Sequence, residues 1–173
     1  MLTIGIDPGL TGAIGVLAGG CYVNCKDIPV MQRSTGSAKV TNQVDGNALA
    51  DLLRELTKDH DRNATLVLIE MAQSMPAAVK GKGGVVKIVQ GGASIFSTGH
   101  SAGTIEGVVA ALRLPHRLVR PGDWKKALRL TSTKEQCRAF ARRLFPDAPL
   151  HLVKHHNRAE SLLLAHYGHT VYA

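Results

Sequence analysis

The opening segment of the chain predicts a β-hairpin with a carboxylate at its mouth. Residues 2–6 are a short apolar run, residues 8–12 supply the proline and glycines of a turn, and residues 13–17 are a second apolar run. Asp7 lies where the first strand ends and the turn begins. A sheet that contains this hairpin therefore carries Asp7 at one of its edges.

The rest of the chain alternates between strand-like and helical patterns. The nearly continuous β-prone run at 65–69 suits a strand buried on both faces in the middle of a sheet, and it ends at Glu70. Residues 29–41 show too little periodicity to assign, and the glycine- and lysine-rich stretch at 76–92 has the composition of a mobile loop that could fold onto DNA. The other predicted elements are strands at 21–28 and 116–119 and helices at 47–60, 102–112, 132–144 and 157–167, the third opened by a capping box from Ser132 to Glu135 and the last ended by Gly168.

Size and charge limit the kinds of protein that this chain can be. With 173 residues, 45% of them hydrophobic, it is long enough for one good core, so we expect a single domain over residues 1–173. The formal charge of +8 favours a polyanionic partner, nucleic acid before an acidic membrane surface, because Lys and Arg release counterions from phosphates. No apolar run approaches the roughly 20 residues that span a bilayer, so we expect no membrane segment and a protein that stays inside the cell. The three cysteines lack the spacing of metal or redox sites and are interpreted as free thiols.

Three carboxylates fall at the ends of predicted elements. If the strands that end at Asp7 and Glu70 pair in parallel, both side chains emerge at the same sheet edge, and Glu160 at a helix start could complete a triangle. Phosphodiester hydrolysis by two metal ions needs several such oxygen ligands, holding the ions about 4 Å apart. Each residue taken alone also has a purely structural interpretation, as a turn cap, a solvated strand end or a favourable charge at a helix N-terminus.

Four stretches of the sequence resemble RuvC-type resolvases. Residues 4–12, Ile-Gly-Ile-Asp-Pro-Gly-Leu-Thr-Gly, look like the opening strand and turn of that family, including its first catalytic Asp, and residues 67–70, Val-Leu-Ile-Glu, are similar to its second motif. Residues 158–165, Arg-Ala-Glu-Ser-Leu-Leu-Leu-Ala, resemble the last helix of phage-type and organellar members, and residues 121–126, Pro-Gly-Asp-Trp-Lys-Lys, resemble a phage-type segment.

The resemblance implies both a fold and an activity. The fold is α/β and ribonuclease H-like, with a mixed central sheet of about five strands flanked by helices. The activity is metal-dependent cutting of four-way (Holliday) DNA junctions with two Mg²⁺ or Mn²⁺ ions, by a homodimer that pairs through the helix at 102–112, in the cytoplasm of a bacterial or phage-infected cell.

The fourth metal ligand departs from the family pattern. The family has an acidic ligand a few residues before the final carboxylate, whereas this chain has His155, His156 and Asn157 ahead of Glu160. A neutral imidazole of His156 or His155 could replace the acid and would favour Mn²⁺, or Asn157 could supply an uncharged oxygen, whether native or in place of an Asp. The resemblance thus implies a catalytic set of Asp7, Glu70, Asn157 and Glu160, with His156 as an alternative ligand.

Basic residues near loops and element ends are candidates for contact with the DNA backbone. Trp124, the only tryptophan, is interpreted as a core anchor, and the glycines and lysines at 80–84 lack the spacing of a phosphate-binding loop, so we expect no nucleotide cofactor. The candidate DNA contacts are Lys80, Lys82, Lys87, Arg120, Lys125, Lys126, Arg129 and Arg158.

Three other functions remain compatible with the sequence. A junction-binding protein without cleavage would follow if the missing acid disables metal binding. A ribonuclease H that cuts RNA–DNA hybrids would share the carboxylates and metals. An actin-like phosphotransferase has a similar D-x-G-x-T phosphate motif, which residues 7–11 resemble, but such proteins need two lobes, and 173 residues hold one.

Overall fold

A computed structural model of the chain describes residues 1–34, 40–72, 78–80, 86–88, 92–131 and 133–173. Within these ranges the chain forms both helices and strands. The strands are β1 (Leu2–Asp7), β2 (Ala13–Ala18), β3 (Cys21–Asp27), β4 (Val30–Ser34), β5 (Val40–Val44), β6 (Thr65–Glu70), β7 (Ala78–Lys80), β8 (Val86–Ile88) and β9 (His116–Val119). The α-helices are α1 (Gly46–Thr57), α2 (Gly92–Ala111), α3 (Pro121–Ala127), α4 (Lys134–Leu144) and α5 (His156–Tyr172).

The central sheet has five strands in the order β3-β2-β1-β6-β9. The first three strands are antiparallel neighbours, whereas β6 runs parallel to both β1 and β9. The predicted parallel pairing of the first strand with the strand at 65–69 is therefore confirmed, as is the mixed sheet. Ile6 lies opposite Ile69, so Asp7 and Glu70 are the next residues on two adjacent strands and leave the sheet at the same edge.

Helices cover both faces of this sheet, because successive residues of β1 and β6 point to opposite sides. On one side Leu68 and Val119 pack with α5, α4 and Trp124 of α3. On the other side Ile4 and Ile69 belong to a second cluster that includes the buried faces of α1 and α2. The result is the three-layer α/β arrangement that the sequence predicts.

Two glycines allow α5 to lie directly on the sheet. Gly5 and Gly15 are opposite each other on β1 and β2. A Cβ atom on Gly5 would lie 2.1 Å from the carbonyl oxygen of Ser161, and one on Gly15 would lie 2.6 Å from the backbone nitrogen of Leu162. Neither position tolerates a side chain, so the first half of α5 is held at a fixed height above the strands that lead to Asp7.

The prediction that Gly168 ends the last helix is wrong, because α5 continues to Tyr172. A Cβ atom on Gly168 would lie 2.1 Å from Cδ1 of Leu68, so this glycine makes room for the sheet in the middle of a helix. The close packing outweighs the cost of about 1 kcal/mol that a helical glycine usually carries.

The described part of the stretch 29–41, which was left unassigned from sequence, lies largely in β4 and the start of β5, and these strands pair from Val30 opposite Val44 to Ser34 opposite Val40. The expected mobile loop at 76–92 is also wrong in its described part, since β7 and β8 pair as antiparallel strands. Both hairpins lack the strict apolar alternation by which strands are recognised in a sequence.

The helix boundaries contain three further corrections. Helix α2 begins at Gly92, ahead of the predicted start at 102, because its first turns are rich in small residues that carry no apolar period. Pro121 starts α3, where no helix was predicted, since proline is favoured at the first helical position. The N-cap of α4 is Thr133, one residue after the predicted start, and it makes no side-chain capping bond, while Glu135 pairs with Arg138 at 2.7 Å; Ser132, the other member of the predicted capping box, lies outside the described residues.

Two expectations about the chain as a whole can be compared with the described ranges. None of the α-helices there is both long enough and apolar enough to cross a bilayer. Cys21, Cys25 and Cys137 are free thiols, as predicted.

Candidate active site

A cavity of about 320 Å³ lies at the sheet edge where β1 and β6 end. The structure brings four predicted site residues and one predicted DNA contact to its walls. Its lining residues are Asp7, Pro8, Thr11, Gly12, Glu70, Lys125, Lys134, Asn157 and Glu160. They come from the ends of β1 and β6 and from α3, α4 and α5, so five separate segments build the cavity.

Carboxylates are crowded in this cavity. Burial, together with the neighbouring charges of Glu70 and Glu160, raises the pKa of Asp7 from 3.8 to about 7. Burial also raises the pKa of Glu70 above its ordinary value, with Glu160 adding to the effect, although a hydrogen bond from Trp124 opposes it. The protein thus holds negative charge where water solvates it poorly, which is the condition under which a cation is most strongly attracted.

A hydrogen bond from Trp124 holds the Glu70 carboxylate in position. Its indole is fully buried in the cluster under α5, which confirms the predicted core role. The indole Nε1–H donates a 2.7 Å hydrogen bond to Oε2 of Glu70. Sequence reasoning missed this contact, because it depends on α3 folding back against the end of β6.

Lys125 binds Glu160 inside the cavity. Its Nζ lies 2.7 Å from Oε1 of Glu160, and the side chains are only 17% and 10% exposed. Burial disfavours the charged ammonium, but the hydrogen bond and charge of Glu160, with the charge of Glu70, raise the pKa of Lys125 overall. An ammonium held in this way offsets part of the negative charge of the cavity.

Lys134 is a cavity residue that sequence analysis did not single out. It is the first residue of α4, where the positive end of the helix dipole disfavours a cation. Its charge lowers the pKa of both Asp7 and Glu70, although other effects dominate those shifts. The signal that could have pointed to it is this placement of a cation in the first turn of a predicted helix, where the helix dipole is unfavourable to it.

The first turn of α5 places Asn157 in the cavity wall. Neither of the two preceding histidines is among the residues that line the cavity. Asn157 Nδ2 donates to the Thr11 carbonyl oxygen at 2.5 Å and to Thr11 Oγ1 at 3.3 Å. His156 Nδ1 lies 3.1 Å from the Val153 carbonyl oxygen, and His155 Nδ1 accepts from the Leu152 backbone N–H at 3.4 Å. Asn157 and Glu160 are one helical turn apart and share a face, whereas His156 does not line the cavity.

The predicted DNA contacts have different surroundings. Arg158 makes two 2.6 Å hydrogen bonds to the Asp27 carboxylate, so its charge is already paired. Arg120 and Lys126 are exposed at the two ends of α3. Lys80 and Lys87 lie in β7 and β8, where only the backbone is described, and Lys82 falls outside the described residues.

The donor chemistry of the cavity fits a hard divalent cation, although the site is not assembled around one. All the acidic donors are oxygens, which suit Mg²⁺ and Mn²⁺. Among the described residues, no three or more His, Cys, Asp and Glu side chains are arranged so that they could hold an ion together. Since Lys125 occupies one oxygen of Glu160, an incoming cation would compete with that ammonium.

Comparisons with known proteins support the fold. No protein-family model matches the chain, and no curated protein matches it in sequence. The structure is similar to Thermus thermophilus RuvC in complex with a Holliday junction substrate, with a TM-score of 0.61 and 17% identity over 96% of this chain and 91% of that one. A second T. thermophilus RuvC structure gives a TM-score of 0.53 and 16% identity, over 96% of this chain and 92% of that one. The predicted RuvC-like, ribonuclease H-like fold is thereby confirmed.

Proposed function

We propose that this chain is an endonuclease that cuts four-way DNA junctions with divalent metal ions. The observation that carries the proposal is the cavity in which Asp7, Glu70 and Glu160 converge from three distant segments. It is supported by the formal charge of +8 and by the fold shared with a RuvC that is complexed with a Holliday junction substrate.

Six residues in and beside the cavity have distinct roles in this proposal. Asp7, Glu70 and Glu160 would hold two Mg²⁺ or Mn²⁺ ions, which supply Lewis acidity toward the phosphate and lower the pKa of bound water. Asn157 would add its amide oxygen, because its N–H groups already donate to Thr11. Trp124 keeps one oxygen of Glu70 in place, and Lys134 provides positive charge for the substrate phosphate.

A homodimer is part of the proposal, since symmetric cutting of two junction strands needs two sites. Helix α2 is the surface that we assign to it. Gly99, Gly103 and Gly107 lie on its exposed side, and a Cβ atom on any of them would meet no described residue within 4 Å. A helix face of this kind allows a second backbone to approach closely.

The proposal predicts that the protein nicks a synthetic four-way junction in Mg²⁺ or Mn²⁺ and leaves a linear duplex of the same sequence largely uncut. Paired nicks at symmetric positions with 5′-phosphate ends are expected from a dimer, whereas isolated nicks would argue for a single site. An RNA–DNA hybrid belongs in the same assay, because preferential cutting of the hybrid would replace the junction with a ribonuclease H substrate.

A junction-binding protein without cleavage is the second candidate, and the Lys125–Glu160 pair favours it. The variant Asn157→Asp separates the two, since it adds a charged ligand one helical turn from Glu160. It also loses the N–H donors to Thr11, which should lower the stability of the metal-free protein by about 1–2 kcal/mol. If only the Asp variant cuts junctions, Asn157 marks a disabled site; if neither cuts but both bind, the binding role replaces the nuclease.

Metal binding is expected to be visible in the fluorescence of Trp124, the only tryptophan in the chain. An ion on Glu70 would lie one hydrogen bond from the indole, so paramagnetic Mn²⁺ should quench the emission while Mg²⁺ should only shift it. In Asp7→Asn the titration midpoint should move to at least roughly tenfold higher Mn²⁺, since a ligand is lost. Unchanged emission at Mn²⁺ concentrations that saturate cleavage would remove Glu70 from the metal site.

A further inference from the structure

Two more depressions continue from the candidate active site along α3 and α4. One, of about 510 Å³, is lined by Pro121, Gly122, Lys125, Lys126, Arg129 and Leu130. The next, of about 590 Å³, is lined by Leu128, Arg129, Leu130, Gln136, Ala139, Phe140 and Arg143. Lys125 belongs to both the active-site cavity and the first depression, and Arg129 and Leu130 belong to both depressions. We call these two adjoining depressions together the α3–α4 groove.

The groove is basic, and none of the described residues that line it is acidic. Its cations Lys126, Arg129 and Arg143 are exposed, and none of them forms an ion pair with any residue that the structure describes. By contrast, Arg54 and Arg158 elsewhere on the surface are paired with carboxylates. Uncompensated positive charge along a path is what a polyanionic chain requires.

The floor of the groove is apolar, so it suits a ligand with alternating charged and less polar parts. Leu130 and Phe140 are partly buried against the core, and the Arg143 guanidinium lies 5.4 Å from the centroid of the Phe140 ring. Arg129 has a left-handed backbone (φ 54°), held by hydrogen bonds from its own N–H to Lys126 O at 3.0 Å and from the Leu130 N–H to Lys125 O at 2.8 Å. This turn is thus held between the two depressions.

We infer that the α3–α4 groove binds the sugar–phosphate backbone of the DNA arm that leads away from the cleaved phosphate. Lys126, Arg129 and Arg143 contact successive phosphates, while Leu130 and Phe140 pack against the sugars. The inference rests on the proposed function, because Lys125 connects the groove to the candidate active site and one DNA molecule therefore occupies both.

The test compares two double variants that remove the same charge. Arg129→Gln with Arg143→Gln removes two groove cations. Arg62→Gln with Arg113→Gln is the matched control, because both residues are exposed, neither lines the groove, and Arg113 shares the left-handed backbone of Arg129 at φ 54°. Thermal melts establish that both variants fold, and junction binding is measured by anisotropy across a salt series in a chelator, so that no cleavage occurs.

The groove variant is expected to bind the junction about 10–100-fold more weakly at low salt. Its plot of log affinity against log salt should be shallower by about 2, since each phosphate contact contributes about 0.9 to the slope. The control should keep the wild-type slope. Equal slopes for the groove variant and the control would overturn the inference.

Junctions with shortened arms provide a second, independent result. If the groove holds an arm, trimming the arms should weaken binding by the wild type and leave the groove variant nearly unaffected, so that the two converge. Equal loss in both proteins would overturn the assignment. If the wild type cuts the junction and the groove variant behaves like the control, only the groove inference is wrong. If the wild type neither binds nor cuts the junction, the proposed function is wrong as well.

Discussion

The variant Asp7→Asn is expected to lose more than about 100-fold in junction cleavage while it binds the uncut junction almost as tightly as the wild type. Loss of a direct metal ligand should cost at least as much as loss of residues that support such ligands, which is typically about 10–100-fold. Binding should survive because Asp7 lies in the cavity among other carboxylates and offers no positive charge to a phosphate. Single-turnover cleavage and chelator-based binding assays on the same preparation measure both effects.

The same substitution should make the metal-free protein more stable at alkaline pH. With a folded pKa of about 7 and an ordinary value of 3.8, the contribution of Asp7 to stability is complete below the ordinary value and is lost as the pH rises through about 7. The raised pKa of Glu70 acts in the same direction. Between roughly pH 5 and pH 8, the melting temperature of the wild type should therefore fall relative to that of Asp7→Asn.

Thermal melts of the two proteins in a chelator over that pH range test this directly. A variant that is less stable than the wild type at alkaline pH would mean that the ionised Asp7 is stabilised by its surroundings. The crowding of carboxylates could then not account for the proposed metal binding. Unchanged cleavage by the variant would remove Asp7 from the site altogether.

Gly5→Ala is expected to destabilise the fold by more than about 3 kcal/mol, at the upper end of the usual cost of overpacking. The new Cβ atom would lie 2.1 Å from the Ser161 carbonyl oxygen and 2.5 Å from the Ala165 nitrogen, and both are backbone atoms of α5 that cannot rotate away. The helix would have to lift from β1, which would also displace Asn157 and Glu160 from the cavity.

Gly122→Ala is the matched control, because Gly122 lies in helix α3 and a Cβ atom there would have no neighbour within 4 Å in the described part of the chain. The free energy of unfolding of Gly122→Ala should differ from that of the wild type by less than about 1 kcal/mol. Denaturant unfolding measures both variants. A Gly5→Ala protein within about 1 kcal/mol of the wild type would show that α5 does not rest directly on the sheet.

The sheet, and the meeting of Asp7 and Glu70 at one of its edges, could be predicted from the sequence for a physical reason. Strands β1 and β6 are buried on both faces, so their residues are almost all apolar and the runs stop where the chain leaves the core. Asp7 and Glu70 are the residues at which these two apolar runs end. Parallel pairing of the two strands then brings the carboxylates together without any further information.

Other parts of the site depend on tertiary packing that a linear pattern does not encode. Lys125 and Lys134 line the cavity, and Trp124 donates to Glu70, because α3 and α4 fold back over the end of the sheet, where no helix at 121–127 was predicted from the sequence. The choice between His156 and Asn157 depends on the rotational phase of α5, in which neighbouring residues differ by about 100° around the axis. That phase is determined by the contact of α5 with Gly5 and Gly15.

The parallel pairing of β1 with β6 and the packing of α5 on β1 also mean that the three carboxylates come together only in a completely folded chain. Asp7 and Glu160 stand at widely separated positions of the sequence and meet only after α5 has docked on the sheet. A chain still being synthesised carries Asp7 without Glu160 and cannot concentrate the three carboxylates in one cavity. On the proposed function, only completely synthesised and folded molecules could cut the cell's DNA. Folding itself would then limit when the nuclease is active.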